Sequence, residues 1–408
     1  MGYNRSKGGT GMRFLHCGDL HIGAGRGDGR EEDFATAFLE VAALAVDRQV
    51  DFVLIAGDLF DRREINPQAL GQASRGLGLL RRAGIPAYAI EGNHDKALYV
   101  DRESWMDYLD REGLLHLLRR PEGERLYLSY EEGGNVAYCG KTRIVGLPYA
   151  GTRTRELVER LTEEIPSYDG FTIVMLHCPV GSQMAMDNAY LPSQVVEALG
   201  EKAEYIALGH IHTAYRHLDI AYNPGAPESV RLEEGIGGEK GVYLGEVGPE
   251  GLRVELIPIR RRTAVRGEAL LTPYMDVPGA ETAIKRALAE TVQEAGALVC
   301  LRVRGEVSFD PAHLDLLDVR AYGRELGIKM LDLQIRLQNR DSLGSVAMDM
   351  EELEREVLST LWREKGFEEE RLVEMTLQLK ERILEDRNAY AEIAQDVERF
   401  AMERREQA

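Results

Sequence analysis

With 408 residues, 44% of them hydrophobic and 29% charged, the chain has room for two or three domains and the balance of a globular protein in water. Its four cysteines (Cys17, Cys139, Cys178, Cys300) are scattered without a CxxC pair, which disfavours a zinc-thiolate site or disulfide framework and fits a reducing, cytoplasmic compartment. No apolar run reaches the ~18 residues that span a bilayer, no signal peptide is visible, and the net charge of −19 argues weakly against indiscriminate nucleic-acid binding.

Residues 1–11, MGYNRSKGGTG, read as a flexible polar extension, although the start matches a myristoylation pattern. A strand, MRFLHC, begins at Met12 and runs into the glycine-rich GDLHIGAGRGDGR. Two phosphate-cradle templates fail there: the dinucleotide fingerprint needs Gly where Asp28 stands, and the Walker spacing of Gly18 and Gly23 is followed by Ala24, not Lys. The loop offers instead Asp19 and His21 at period two, which on an extended segment point to one side.

Helical and strand patterns then alternate: FATAFLEVAALAVDRQ, DFVLIAG, a helix over 67–82 and IPAYAIEG. The strand-dense continuation contains LYLSY, NVAYC, RIVGLP, FTIVMLH, YIALGH, HLDIAYN, GVYLGEV and LRVELIPI. The early strand–helix–strand units predict parallel strands with antiparallel additions later, an α/β layered sheet core with flanking helices. IRRRTAVRGE, from Ile259, reads as a linker or edge. After it, two helices and two strands alternate as a small α+β unit, followed from about residue 348 by charged helices. Leu353, Val357 and Leu361 step by four there, and Tyr390, Ile393, Val397 and Phe400 form a narrow apolar stripe. Residues 341–408 hold 19 acidic and 10 basic side chains, so −9 of the net charge sits in the last sixth of the chain. The expected domains are 12–262, 263–340 and 341–408.

Polar, ligand-type residues follow successive apolar strands: Asp19 and His21, Asp58 and Asp61, Asn93, His94 and Asp95, His177, and His210 and His212. Strand ends of such folds converge on one crevice, and adjacent glycines let the backbone turn and pack closely. One such residue is ordinarily a cap or turn residue; five clusters in series point to a metal site. Five of nine histidines fall in these loops, whereas His116, His217 and His313 read as surface or structural. His16 reads as a hydrogen-bonded core histidine, and Cys17 and Cys178 as packing residues. Carboxylate, amide and imidazole ligands suit Mn²⁺ best, with Fe²⁺, Zn²⁺ and Mg²⁺ open as substitutes. Their number exceeds what one ion needs, so two ions are expected, with Asp58 as the bridging carboxylate.

The series GDLH, GDLFD, GNHD, LH and GHIH resembles the calcineurin-like metallophosphoesterases, and within them the SbcD/Mre nuclease family of DNA double-strand-break repair. FLHCGDLHIG, GLPY at 146–149, YNPG at 222–225 and the regions after the core carry the finer likeness. The resemblance implies a layered β-sandwich metallophosphoesterase core, a capping domain over 263–340 that shapes a DNA groove, and C-terminal helices that bind a partner. It assigns Asp19, His21, Asp58 and His212 to one ion and Asp58, Asn93, His177 and His210 to the other. His94 would face the scissile phosphate, with Asp95 orienting it. It further implies a Mn²⁺-dependent DNA exonuclease or endonuclease, an SbcC/Rad-type coiled-coil ATPase partner, and a homodimer formed through helices near 67–82 and 101–112. Two departures stand out: Asp61 replaces a His found in many relatives, and Ala226 replaces a serine.

Two other readings compete: a phosphoesterase acting on a small nucleotide or other phosphodiester, and a chiefly binding subunit of an ATPase complex. The terminal stripe is read equally as a partner-docking face and as an intramolecular helical hairpin. Arg62, Arg63, Arg143 and Arg260 to Arg262 are candidate phosphate contacts, each explained almost as well by a solvated surface.

Overall fold

The computed structural model describes residues 11–98, 103–181, 190–340, 354–355, 357–359, 361–362 and 370–385. The N-terminal extension to residue 10 and the Tyr390–Phe400 stripe lie outside them. Two compact units result: Met1–Val307 with Pro311–Gln338, and Ser308–Asp310 with Asn339–Ala408.

The first unit starts with β1 (Met12–Cys17), α1 (Glu31–Asp47), β2 (Phe52–Ala56), α2 (Pro67–Ala83), β3 (Ala87–Ile90), α3 (Trp105–Arg111) and β4 (His116–Leu117). It continues through β5 (Val136–Cys139), β6 (Thr142–Leu147), α4 (Thr154–Glu164), β7 (Phe171–His177), α5 (Ser193–Gly200), β8 (Tyr205–Gly209), β9 (Tyr215–His217) and β10 (Ala221–Asn223). The single turn α6 (Leu232–Gly235) precedes β11 (Gly241–Gly248) and β12 (Gly251–Pro258). One six-stranded sheet has the order β12-β11-β1-β2-β3-β4, the other β5-β6-β7-β8-β10-β9. β1 to β4 are parallel, and β11 and β12 join antiparallel. In the second sheet β6, β7, β8 and β10 are parallel, flanked by antiparallel β5 and β9.

The sequence explains the layering. FVLIA of β2 is buried at every position, as befits a strand covered on both faces. Phe14, Phe52, Leu54 and Ile90 of one sheet pack against Ile144, Ile173, Met175, Tyr205 and Tyr222 of the other. The outer face of the first sheet buries Phe38 and Val41 of α1 and Ala73 and Leu77 of α2, and that of the second buries Leu157, Val158 and Leu161 of α4. The order is helix, sheet, sheet, helix. α2 begins where Asn66 accepts from the Ala69 N–H with Pro67 in the first turn, and it ends at Gly84 in the left-handed conformation.

Two details differ from the sequence reading, and a third resolves the alternatives it left open. LYLSY forms no strand; it contributes one bridge, Ser129 to Val136, before a 3₁₀ turn. HLDIAYN divides between β9 and β10, because Leu218 and Asp219 adopt positive φ and reverse the chain. IRRRTAVRGE splits into an irregular connector and an edge strand, β13 (Ala264–Leu271). β13 pairs with β14 (Leu298–Val307) and shares a three-stranded sheet with β15 (Met330–Asn339), and α7 (Val277–Thr291) and α8 (Leu316–Glu325) complete this α+β part. Arg262 grips Asp33 of α1 through Nε (2.5 Å) and Nη2 (2.7 Å), tying the connector to the core. In the second unit α9 (Glu370–Glu385) meets the preceding segment: Trp362 Nε1 donates to Thr376 Oγ1 at 3.1 Å, and Arg355 pairs with Glu374.

Phe14 is fully buried and stacks on Phe52 at 5.5 Å between the sheets. Phe14→Ala is expected to cost about 3–5 kcal/mol of stability, read from the urea midpoint of unfolding.

Candidate metal centre

Asp19 and His21 follow β1, Asp58 follows β2, and Asn93, His94 and Asp95 follow β3. His177 ends β7, and His210 and His212 follow β8. These are the carboxyl ends of parallel strands from both sheets, so one edge of the sandwich gathers every predicted ligand. Seven non-glycine residues among those described have positive φ, and Asp19, His21, Asp58 and His210 are four of them. Such conformations are disfavoured for side chains with a Cβ and persist where surrounding structure holds them. Here the concentration marks the site. Gly92 is required by close approach: a Cβ there would lie 2.0 Å from Asp58 Oδ1.

Three groups form: Asp19, His21 and His212; His21, Asp58 and His94; and Asp58, His177 and His210, with ligand atoms in each within 4.8 Å of one another. Hydrogen bonds fix several tautomers. His177 Nδ1 donates to the Ala56 carbonyl at 2.7 Å, so Nε2 turns its lone pair toward Asp58 Oδ2 (3.2 Å) and Asn93 Oδ1 (3.3 Å). His212 Nδ1 lies 3.0 Å from Glu234 Oε1, leaving Nε2 to face His21 Nε2 at 3.0 Å. His210 Nδ1 is 3.0 Å from Asn93 Oδ1. Acceptors pointing at acceptors in a buried site repel one another unless positive charge lies between them. This donor set therefore fits divalent cations of the nitrogen- and oxygen-loving kind.

Without a bound ion, a proton on His177 would supply that positive charge beside Asp58. Burial lowers the His177 pKa, but the charge and hydrogen bond of Asp58 outweigh it and raise it to about 9. Burial would raise the Asp58 pKa, yet His177 and His21 hold it well below the usual carboxylate range. Burial and the neighbouring His177 lower His210 to about 4.

Among the described residues Asp95 bonds to backbone and not to the His94 ring. Its carboxylate accepts backbone N–H bonds from Leu59 (3.2 Å), Phe60 (3.0 Å) and Gly92 (3.0 Å). It staples the loop after β2 to the GNHD turn. The His94 ring is held by Asp61, whose carbonyl lies 2.5 Å from Nδ1, while the His94 N–H donates to Asp58 Oδ1 at 2.9 Å. The Asp61 carboxylate sits 3.5 Å from His21 Nδ1, so one residue supports both rings. Arg143 is no phosphate contact: it is buried, donating to the Pro166 carbonyl (2.9 Å) and Thr172 Oγ1 (2.9 Å). His16 is the core histidine expected, bonded to Tyr205 Oη and the Leu208 carbonyl. The glycine loop borders a recess of about 620 Å³ that also includes Asp61 and Arg62.

Glu234 carries no local signal in the sequence and emerges only from the fold. Besides His212 it takes the Val230 N–H at 3.1 Å, and the buried Lys240 ammonium lies 3.8 Å away. Burial opposes its ionisation, but His212 and Lys240 win and lower its pKa to about 2. A carboxylate behind a ligand histidine fixes its tautomer and raises its basicity.

Residues 12–214 match the family model of the calcineurin-like phosphoesterases, so the chain carries a calcineurin-like phosphoesterase domain. More particularly, it is similar to the DNA double-strand break repair protein Mre11 of Archaeoglobus fulgidus, 34% identical over 55% of this chain and 52% of that protein. The Mre11 of Aeropyrum pernix is 31% identical over 54% of this chain and 55% of its own. The SbcD component of the nuclease SbcCD of Bacillus subtilis is 28% identical over 55% of this chain and 63% of its own. The chain thus spans about half the length of the first two relatives. No described helix is long and apolar enough to cross a membrane.

Glu234→Ala is expected to weaken one of two Mn²⁺ binding steps about 10–100-fold, with Glu234→Asp intermediate, as measured by titration calorimetry.

Proposed function

We propose that the protein is a two-metal DNA nuclease that hydrolyses phosphodiester bonds. The observation that carries the reading is that Asp58 is shared by two groups of ligand atoms, one with His21 and His94 and the other with His177 and His210, while His21 is shared in turn with Asp19 and His212. The Mre11 and SbcCD names of the relatives supply the substrate class. Asp19, His21, Asp58 and His212 would hold one ion, and Asp58, Asn93, His177 and His210 the other, with Mn²⁺ the metal that suits this donor set best. Two such ions would neutralise a bound phosphate and lower the pKa of an attacking water. The chain's own contribution is His94. With Nδ1 committed to the Asp61 carbonyl, Nε2 is the ring atom left to face the phosphate and to pass a proton to the leaving sugar oxygen.

The same reading extends to assembly. The Bacillus relative is named as one part of a nuclease complex, which supports work alongside an SbcC/Rad-type ATPase docked on the C-terminal helices. The aromatic pair Trp105 and Tyr108, both exposed on α3, supports a homodimer. Replacing both by alanine then leaves a monomer in light scattering.

With linear DNA and Mn²⁺, degradation is expected to be abolished by chelation and lowered about 10²–10⁴-fold by His94→Gln with both ions still bound. Asp58→Asn is expected to lose metal and activity together. Hydrolysis of mononucleotides or small diesters with DNA left intact would replace this reading with that of a small-molecule phosphoesterase.

A further inference from the structure

A second recess, about 420 Å³, adjoins the candidate metal centre through Tyr149. The Tyr149 ring stacks on His210, with centroids 5.7 Å apart and planes 25° from parallel, and meets the His177 ring edge-on at 6.1 Å. The Lys96 ammonium sits 5.0 Å from the same ring's centroid. Lys96 follows the GNHD turn directly, so the turn that carries His94 also delivers a cation one aromatic layer from a ligand histidine.

The charges around Lys96 are unbalanced. Arg120 and Arg153 line the recess with it. Arg119 does too, but it is consumed by Asp107 (2.9 Å) and Asp110 (2.7 Å). Arg153 leans on Glu156 at 3.4 Å. Neither Lys96 nor Arg120 forms an ion pair among the described residues. The facing acid, Glu91, lines the recess as well and is one of its two carboxylates, with Asp107 the other. Burial lowers the pKa of Lys96; Glu91 opposes this, and the crowding of Arg63 and Arg120 adds to it. A chain of net charge −19 thus lines the recess beside its candidate metal centre with four cations, Lys96, Arg119, Arg120 and Arg153, against two carboxylates.

We propose that this recess is a strand subsite: Lys96 and Arg120 hold a phosphate of the nucleic-acid strand that flanks the one being hydrolysed, and Tyr149 sets the ammonium's distance from the reacting centre. The proposal rests on the nuclease reading and deepens it. A diester with a single phosphate cannot occupy both places, so the subsite acts only on polymers. Its effect is electrostatic and carries no base preference.

The test compares the full chain with Lys96→Gln, Arg120→Gln and the double variant in Mn²⁺, on bis(p-nitrophenyl) phosphate and on a single-stranded oligodeoxynucleotide across a salt series. Arg120 is exposed, so its substitution leaves the core untouched. The expected result for the double variant is a loss of about tenfold in kcat/KM on the oligonucleotide, carried mainly by KM, with turnover of the small diester within about twofold of wild type. The salt dependence on the oligonucleotide becomes shallower by about 0.7 in log–log slope for each phosphate no longer neutralised. Wild-type kinetics and slope in the double variant would overturn the subsite while leaving the nuclease reading in place. Equal losses on both substrates would overturn it as well, placing these cations in the chemistry itself. If the wild type turns over the small diester but leaves the oligonucleotide intact, the nuclease reading fails, and the subsite with it.

Discussion

The structure depends on the Asp58 carboxylate, dry and ionised at the end of a buried strand. A charge in that position is costly unless opposite charge and hydrogen bonds surround it. His177 reaches it from the opposite sheet at 3.2 Å, and the His94 N–H reaches it from the next strand-end loop at 2.9 Å. The residues that satisfy Asp58 are therefore those that fix how the two sheets meet along this edge. Gly92, which leaves no room for a Cβ against the same carboxylate, belongs to that constraint as much as any ligand does.

This constraint explains why the candidate site is gathered from local motifs. The candidate ligands at strand ends lie in short stretches such as GDLH or GHIH, each preceded by an apolar run that announces the strand. The residues behind the ligands obey no such grammar. Glu234 sits in a single helical turn between β10 and β11, twenty-two positions after the histidine it supports, in a stretch of ordinary charged composition. Nothing local distinguishes it from Glu233. Asp95, which the resemblance made the partner that orients His94, has its carboxylate turned back to three backbone N–H groups. Sequence neighbours in a turn of this kind diverge in space.

The fold was legible wherever periodicity was unambiguous and illegible where chain reversal depended on backbone conformation. FVLIA could only be a strand covered on both sides. HLDIAYN alternates like one strand, yet positive φ at Leu218 and Asp219 folds it into two, a departure residue type did not reveal because neither is glycine. Arg143 was misread because arginine is usually exposed; its burial is sustained by partners more than twenty positions away, Pro166 and Thr172, with the Tyr168 ring 4.8 Å from its guanidinium carbon.

The segment after β10 links these threads. Glu228 receives Arg30 of the glycine-rich loop at 2.9 Å and the Arg262 N–H at 3.3 Å, while Glu234 supports His212 six residues later. The stretch lies beyond the residues matched by the family model, yet it braces the first ligand loop, a ligand histidine and the connector to the three-stranded sheet. The ligands are thus held from two directions: by the strands that carry them, and by a later segment that has no ligands of its own. Substitutions in the outer segment can then tune the basicity of His212 and the shape of the rim without altering the candidate ligands on the strands, because its hold acts through side-chain carboxylates.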